Sequence, residues 1–124
     1  MDSRRPENLS RQLIELLGKG DMDGILDLYE SDAVFADTEG TARGPAQIRA
    51  AHRSFLDSGL TLTLDDSVVL EAGDIALVHW SWTVERGDGS VIEGVSAEVM
   101  RRQPDGTWKY IIDNSDGSAL VGLT

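Results

Sequence analysis

The chain changes its hydrophobic period once, near residue 59, and that single change leaves few architectures open. Before it, Leu9, Leu13, Leu16 and Leu17 recur at i, i+4, i+7 and i+8 behind Pro6, and the pattern stops at Gly18 and Gly20. This predicts an amphipathic helix, with proline suited to its first turn. Asp21 sits where an N-cap carboxylate accepts backbone N–H bonds, and Met22, Ile25, Leu26 and Tyr29 follow at helical spacing, predicting a short second helix. Ala33 to Asp37 reads as a brief strand, and Gly40 and Gly44 mark a loop. A third helix is expected from Pro45, with Ile48, Ala51, Phe55 and Leu56 as its apolar positions and Ser58 and Gly59 as its end.

Beyond that point the period is two. Leu60, Leu62 and Leu64 alternate with Thr61, Thr63 and Asp65, and Val68 to Ala72 continues the sheet to a turn at Gly73 and Asp74. Ile75 to Glu85 is a long strand, Gly87-Asp88-Gly89 a hairpin signal, and Val91 to Arg102 the returning strand. Pro104-Asp105-Gly106 turns the chain again, Thr107 to Asp113 is the last strand, and Ser115 to Thr124 is a small-residue tail. Helices followed by a strand meander imply an α+β domain, with three N-terminal helices on one face of a strongly curved, mostly antiparallel sheet. Such a sheet can enclose a cone whose interior suits a small ligand.

Composition limits partners. With 124 residues the chain can bury a core without a staple, and with no cysteine it has no disulfide, thiolate metal site or thiol chemistry. The net charge of −11 repels phosphate backbones and anionic membranes, so neither nucleic acid nor a membrane is an expected partner. Two histidines make a histidine-rich metal site improbable, and no metal or cofactor is implied. Met1 to Pro6 is charged, with no apolar core behind it, so a cytoplasmic protein is expected.

Four acids stand where strand or loop patterning favours neutral residues: Asp37, Glu98, Asp113 and, less clearly, Asp65. A carboxylate drawn into an apolar cavity has a raised pKa, so one can act as a base while another stays protonated and donates a hydrogen bond. The alternative for each is an outward position or a partner Arg or backbone N–H. His79 carries an imidazole, a group able to shuttle protons, or it is a hydrogen-bonded wall residue. His52, between Arg49 and Arg53, reads as a surface or helix-packing residue without a role. On the strand from Ile75 to Glu85, one face carries Ala76, Val78, Trp80, Trp82 and Val84, the other Leu77, His79, Ser81 and Thr83. Neither is plainly polar. Either Trp80 and Trp82 pack under the helices, or their face meets a second copy of the chain in a homodimer.

Several strings, in this order, resemble the nuclear transport factor 2-like superfamily, in particular its ketosteroid isomerase and SnoaL-like polyketide cyclase branch. They are Gly20-Asp21 before a short helix, the run Leu28 to Asp37 (LYESDAVFAD), Gly44-Pro45 before a helix with Ile48, and Asp105-Gly106-Thr107-Trp108. The likeness runs from about Leu9 to Asn114, leaving residues 1–8 as an extension and 115–124 as a tail. It implies a cystatin-like cone. It also implies that Asp37 is the proton-shuttling carboxylate of the isomerases, and Glu98 the acid that stays protonated to stabilise an enolate oxygen. Leu13 stands where the isomerases carry their tyrosine. Asp113 corresponds to the general acid/base of the cyclases. With the strand frame set at Gly73, His79 faces the cavity and Trp80 and Trp82 the opposite, dimer-forming face. Leu13, Tyr29, Phe55, Leu77, Ser81 and Met100 would line the pocket.

The expected function is a cofactor-independent acid/base enzyme, an isomerase, cyclase or related lyase, acting on a small hydrophobic carbonyl compound such as a polyketide or steroid-like molecule. The alternative is a non-catalytic binding or dimerisation domain of the same fold.

Overall fold

A computed structural model describes residues 1–116 of the chain. Helix α1 (Glu7–Lys19) ends where Gly20 turns left-handed (φ 67°), so that the Gly20 and Asp21 amides reach back to the carbonyls of Leu17 and Leu16. Asp21 caps α2 (Met22–Leu26) by accepting a bond from the Gly24 amide at 3.0 Å. Strand β1 (Tyr29–Asp37) and β2 (Gly40–Arg43) form a hairpin that leads into α3 (Gly44–Asp57). Strands β3 (Thr61–Ala72), β4 (Ile75–Glu85), β5 (Val91–Val95), β6 (Ala97–Arg102) and β7 (Trp108–Asn114) complete one seven-stranded sheet. Its order is β2-β1-β7-β6-β4-β3, with β5 also paired to β4. Every pairing is antiparallel except β1 with β7. The three helices pack on one face of this mostly antiparallel sheet, as the change of period predicts.

The core lies between that face and the helices. Leu9, Leu13 and Leu17 of α1, Ile25 of α2 and Ile48 of α3 meet Ala76, Val78, Trp80, Met100 and Tyr110 of the sheet. Trp108 Nε1 donates to the Arg4 carbonyl at 2.9 Å, which ties the segment before α1 to the last strand. No helix among the described residues is long and apolar enough to cross a membrane.

Four sequence expectations are corrected. Tyr29 begins β1 rather than ending α2, because the Leu28 carbonyl accepts from the Tyr110 amide and draws the chain into the sheet. The loop expected at residues 40–44 contains β2, whose four residues are held by pairing with β1. The returning strand from Val91 to Arg102 is broken at Ser96, whose amide bonds to the Trp80 carbonyl. Trp80 and Trp82 turn to the helix side: Trp80 is 1% exposed beneath α1, with the Arg11 guanidinium 5.1 Å from its ring centroid. Of the tail, Ser115 and Asp116 are described; residues 117–124 lie outside the described part.

Candidate active site

Between the helices and the inner sheet face is a cavity of about 540 Å³, within the range of small-molecule sites. Leu13, Ile14 and Leu17 of α1, Phe55 of α3 and Leu62, Leu64 and Trp82 of the sheet give it apolar walls. Polar side chains enter from several elements. Glu98 on β6 and Asp113 on β7 are directly opposite each other across the antiparallel ladder, so their carboxyl groups share one side of the sheet. Both residues are 4% exposed, and both line the cavity. His52 of α3 and Tyr110 of β7 line it as well.

Each carboxyl group is held differently. Ser96, at the break between β5 and β6, donates its hydroxyl to Glu98 Oε1 at 2.8 Å, while Glu98 Oε2 is buried without a hydrogen-bond partner. Asp113 Oδ2 accepts from the Tyr29 hydroxyl at 2.6 Å. The Tyr29 oxygen is also 2.9 Å from His52 Nε2. Tyr110 and Ser10 of α1 share a hydrogen bond at 2.8 Å, and the Tyr29 and Tyr110 rings lie 4.8 Å apart.

Burial separates the proton affinities of the pair. Desolvation, followed by the charge of Asp113, pushes Glu98 up to about 9, against the pull of the Ser96 and Ser10 hydroxyls. Desolvation raises Asp113 to about 6, opposed by the bond from Tyr29. At neutral pH the pair therefore shares one proton and one negative charge, and the hydroxyl donated by Tyr29 favours the charge on Asp113. Burial lowers His52 to about 4, with Asp37 pulling the other way, so its imidazole is neutral. Tyr29 and Tyr110 are raised well above their ordinary value, first by burial and then by the Asp113 charge, and stay protonated.

The structure brings Asp37, Glu98, Asp113, Leu13 and Phe55 to one cavity. Asp37 follows Phe35 by two residues on the same side of β1, nearer the strand end, and its Oδ1 accepts from the Glu39 and Gly40 amides. It is half-buried, unlike the central pair. His79, Leu77 and Ser81 do not join them. Glu98 is paired with Val78, so once Glu98 faces the helices a period of two sends His79 to the outer side of the sheet. There His79 Nδ1 meets the Ser96 carbonyl at 3.1 Å and supports the strand break from behind. Met100 is wholly buried in the core rather than on the cavity wall. Tyr29 borders an outer cleft and reaches the site through its hydroxyl alone. Asp65 is exposed and accepts from the Thr83 hydroxyl at 2.8 Å.

Sequence reasoning missed His52, Tyr110, Ser96 and Ser10. A signal for His52 was present: it is four residues after Ile48 and three before Phe55, on the buried face of α3. Arg49, three positions earlier, is exposed and pairs with Asp23. Among the described residues no group of three or more His, Cys, Asp or Glu is arranged to hold a metal ion.

Comparisons with known proteins agree with this architecture. No curated protein matches the chain. An NTF2-like protein with a cystatin-like fold from Novosphingobium aromaticivorans is similar at 27% identity, covering 94% of this chain and 83% of that one, with a TM-score of 0.72. A candidate ketosteroid isomerase from Parabacteroides distasonis is similar at 25% identity, covering 88% and 84%, with a TM-score of 0.67. A protein of unknown function with a cystatin-like fold from Nostoc punctiforme shares 19% identity over 87% and 84%, with a TM-score of 0.76. The model of the SnoaL-like domain matches residues 10–111, and the chain belongs to that family.

Proposed function

We propose that the protein is a cofactor-independent acid/base enzyme acting on a neutral, mostly apolar carbonyl compound. One observation carries this reading: two carboxyl groups lie opposite each other in an apolar cavity, and Oε2 of Glu98 is buried there without a partner. A buried carboxylic acid whose second oxygen has no partner is a hydrogen-bond donor waiting for an acceptor. Placed on a substrate carbonyl, it would stabilise the enolate oxygen that forms when a proton leaves the neighbouring carbon. Asp113, ionised beside it, is the destination for that proton. The likeness to a candidate ketosteroid isomerase supports the same class of chemistry. Asp37, nearer the strand end, is the rival base.

The test is deuterium exchange at the α-carbon of 2-tetralone in heavy water, followed by proton NMR. It detects proton removal without knowledge of the natural substrate. Exchange well above the buffer rate is expected, with a loss of about 100-fold or more in Asp113→Asn and in Glu98→Gln, the scale of losing one oxyanion donor. If Asp37→Asn alone abolishes exchange, Asp37 is the base. Binding of the ketone without any exchange would favour a carrier or binding domain. The apolar α1 wall, with Leu13 where the isomerase resemblance implies a hydroxyl, is the feature that favours that second reading.

The reading includes a second copy of the chain as partner, joined through the outer face of the sheet. Val68 and Leu70 of β3 are 60% and 62% exposed there, and Ile112 and Val95 are exposed beside them. Isolated apolar residues at a surface need no explanation, but a contiguous row of them marks an interaction face.

A further inference from the structure

His52 makes two contacts that define its role. Its Nε2 meets the Tyr29 hydroxyl, and its ring lines the cavity. Nδ1 has no hydrogen bond among the described residues, and it is not one of the two buried side-chain polar atoms left unpaired, Trp80 Nε1 and Glu98 Oε2. The ring's place in the cavity lining leaves Nδ1 as the nitrogen available to a ligand there. Hydrogen counting then fixes the tautomer. A phenol has one hydrogen, and with Asp113 ionised that hydrogen serves the carboxylate at 2.6 Å. The phenol oxygen can accept only if Nε2 carries the imidazole hydrogen, which leaves Nδ1 bare and basic toward the cavity.

We propose that His52 removes the ligand's proton on Nδ1 and passes its Nε2 proton through Tyr29 to Asp113, an inference that rests on the acid/base reading of the cavity. The step balances. The ligand C–H bond breaks and an Nδ1–H bond forms, Nε2–H is replaced by a phenol O–H, and the former phenol hydrogen ends on Asp113 Oδ2. The electron pair stays on the ligand as an enolate facing protonated Glu98. The negative charge has moved from Asp113 to the enolate, and His52 is neutral before and after, in opposite tautomers. Burial disfavours an imidazolium here, which would disqualify His52 as a free-standing base but does not hinder a relay that never stores the charge.

The relay makes a prediction that needs no ligand. The titratable groups facing it are Tyr29 and Asp37 from β1, Asp113 and Tyr110 from β7, and Glu98 from β6. Arg49 on α3's outer side is paired with Asp23. Lowering the pH through the Asp113 step reverses the chain: Asp113 then donates to Tyr29, Tyr29 donates to Nε2, and the imidazole hydrogen moves to Nδ1. The experiment is 15N NMR of histidine-labelled protein between pH 8 and pH 5, with His79→Gln assigning the only other histidine. The expected result is a neutral Nε2–H ring at pH 8 that becomes a neutral Nδ1–H ring below about pH 6, and no such switch in Tyr29→Phe or Asp113→Asn. An Nδ1–H ring at pH 8, an imidazolium at pH 6, or a switch that persists in Tyr29→Phe would overturn it. Failure of the relay alongside Asp113-dependent exchange of 2-tetralone would leave Asp113 as a direct base, whereas an intact switch without exchange would overturn the enzyme reading and proton removal by His52 with it, leaving the hydrogen-bond chain alone.

Discussion

Glu98 holds its proton by burial, and that has a measurable consequence for stability. Its folded-state value, about 9, lies above the 4.5 of an exposed glutamate, so the folded chain binds more protons than the unfolded one between those limits. Stability must then fall as pH rises through that window, with a limiting slope of about 1.4 kcal/mol per pH unit. Above about pH 7.5 the neighbouring groups do not add to the slope. Asp113, raised to about 6, is ionised in both states, and His52, lowered from 6.5 to about 4, is neutral in both. The thermal midpoint of the wild type should decline from pH 7.5 to 9, while Glu98→Gln, which keeps the shape without a proton to lose, should stay level. Parallel curves for the two proteins would show that Glu98 ionises as an ordinary surface acid.

At the scale of elements, the cavity wall depends on how β4 and β5 pack. Trp82 of β4 lies directly opposite Gly94 of β5, and a Cβ added at Gly94 would stand 2.3 Å from the indole ring. The indole is held in place, since its Nε1 donates to the Ser115 carbonyl at 2.7 Å. Gly94→Ala should therefore cost about 1–3 kcal/mol by overpacking and displace the Trp82 wall. Gly18 of α1 is the contrasting case: nothing lies within 4 Å of its added Cβ, and Gly18→Ala should stabilise by up to about 1 kcal/mol through helix propensity. Urea unfolding followed by tryptophan fluorescence measures both, and a neutral Gly94→Ala would mean that the wall yields freely. The same elements explain what the sequence disclosed. Leu60, Leu62 and Leu64 were readable as cavity residues because a period of two has one apolar phase there. On β4 both phases are apolar or aromatic, so periodicity could not choose between His79 and Trp80; the choice is made by pairing Val78 with Glu98, a contact 20 residues apart in the chain. Asp113 and Glu98 were legible as acids in apolar strands. Tyr29 was legible only as a pocket residue, and neither its bond to Asp113 nor His52 behind it was, because the 84 residues between Tyr29 and Asp113 are closed only by the parallel β1–β7 pairing.

The whole molecule presents an outer sheet face at odds with its charge. Leu70 is paired with Leu77, Leu77 with Val99 and Val99 with Ile112, so an apolar row crosses β3, β4, β6 and β7 on the side away from the helices. Covering that row with a second copy removes it from water, the driving force for a homodimer. Each chain brings a net charge of −11, so association works against repulsion that salt screens within about 10 Å at 0.1 M. A dimer held by this face should therefore tighten as sodium chloride is raised, the reverse of one held by ion pairs. Leu70→Glu adds a charge at a residue that is 62% exposed in the single chain, so it should leave folding intact while producing monomers in sedimentation velocity runs. The cavity lies on the other face, so Leu70→Glu monomers should still bind 2-tetralone, and the dimer's thermal midpoint, but not theirs, should rise with protein concentration. A wild type that sediments as a monomer at every salt concentration would sink the dimer and leave the cavity chemistry untouched, because no residue of that chemistry belongs to the outer row.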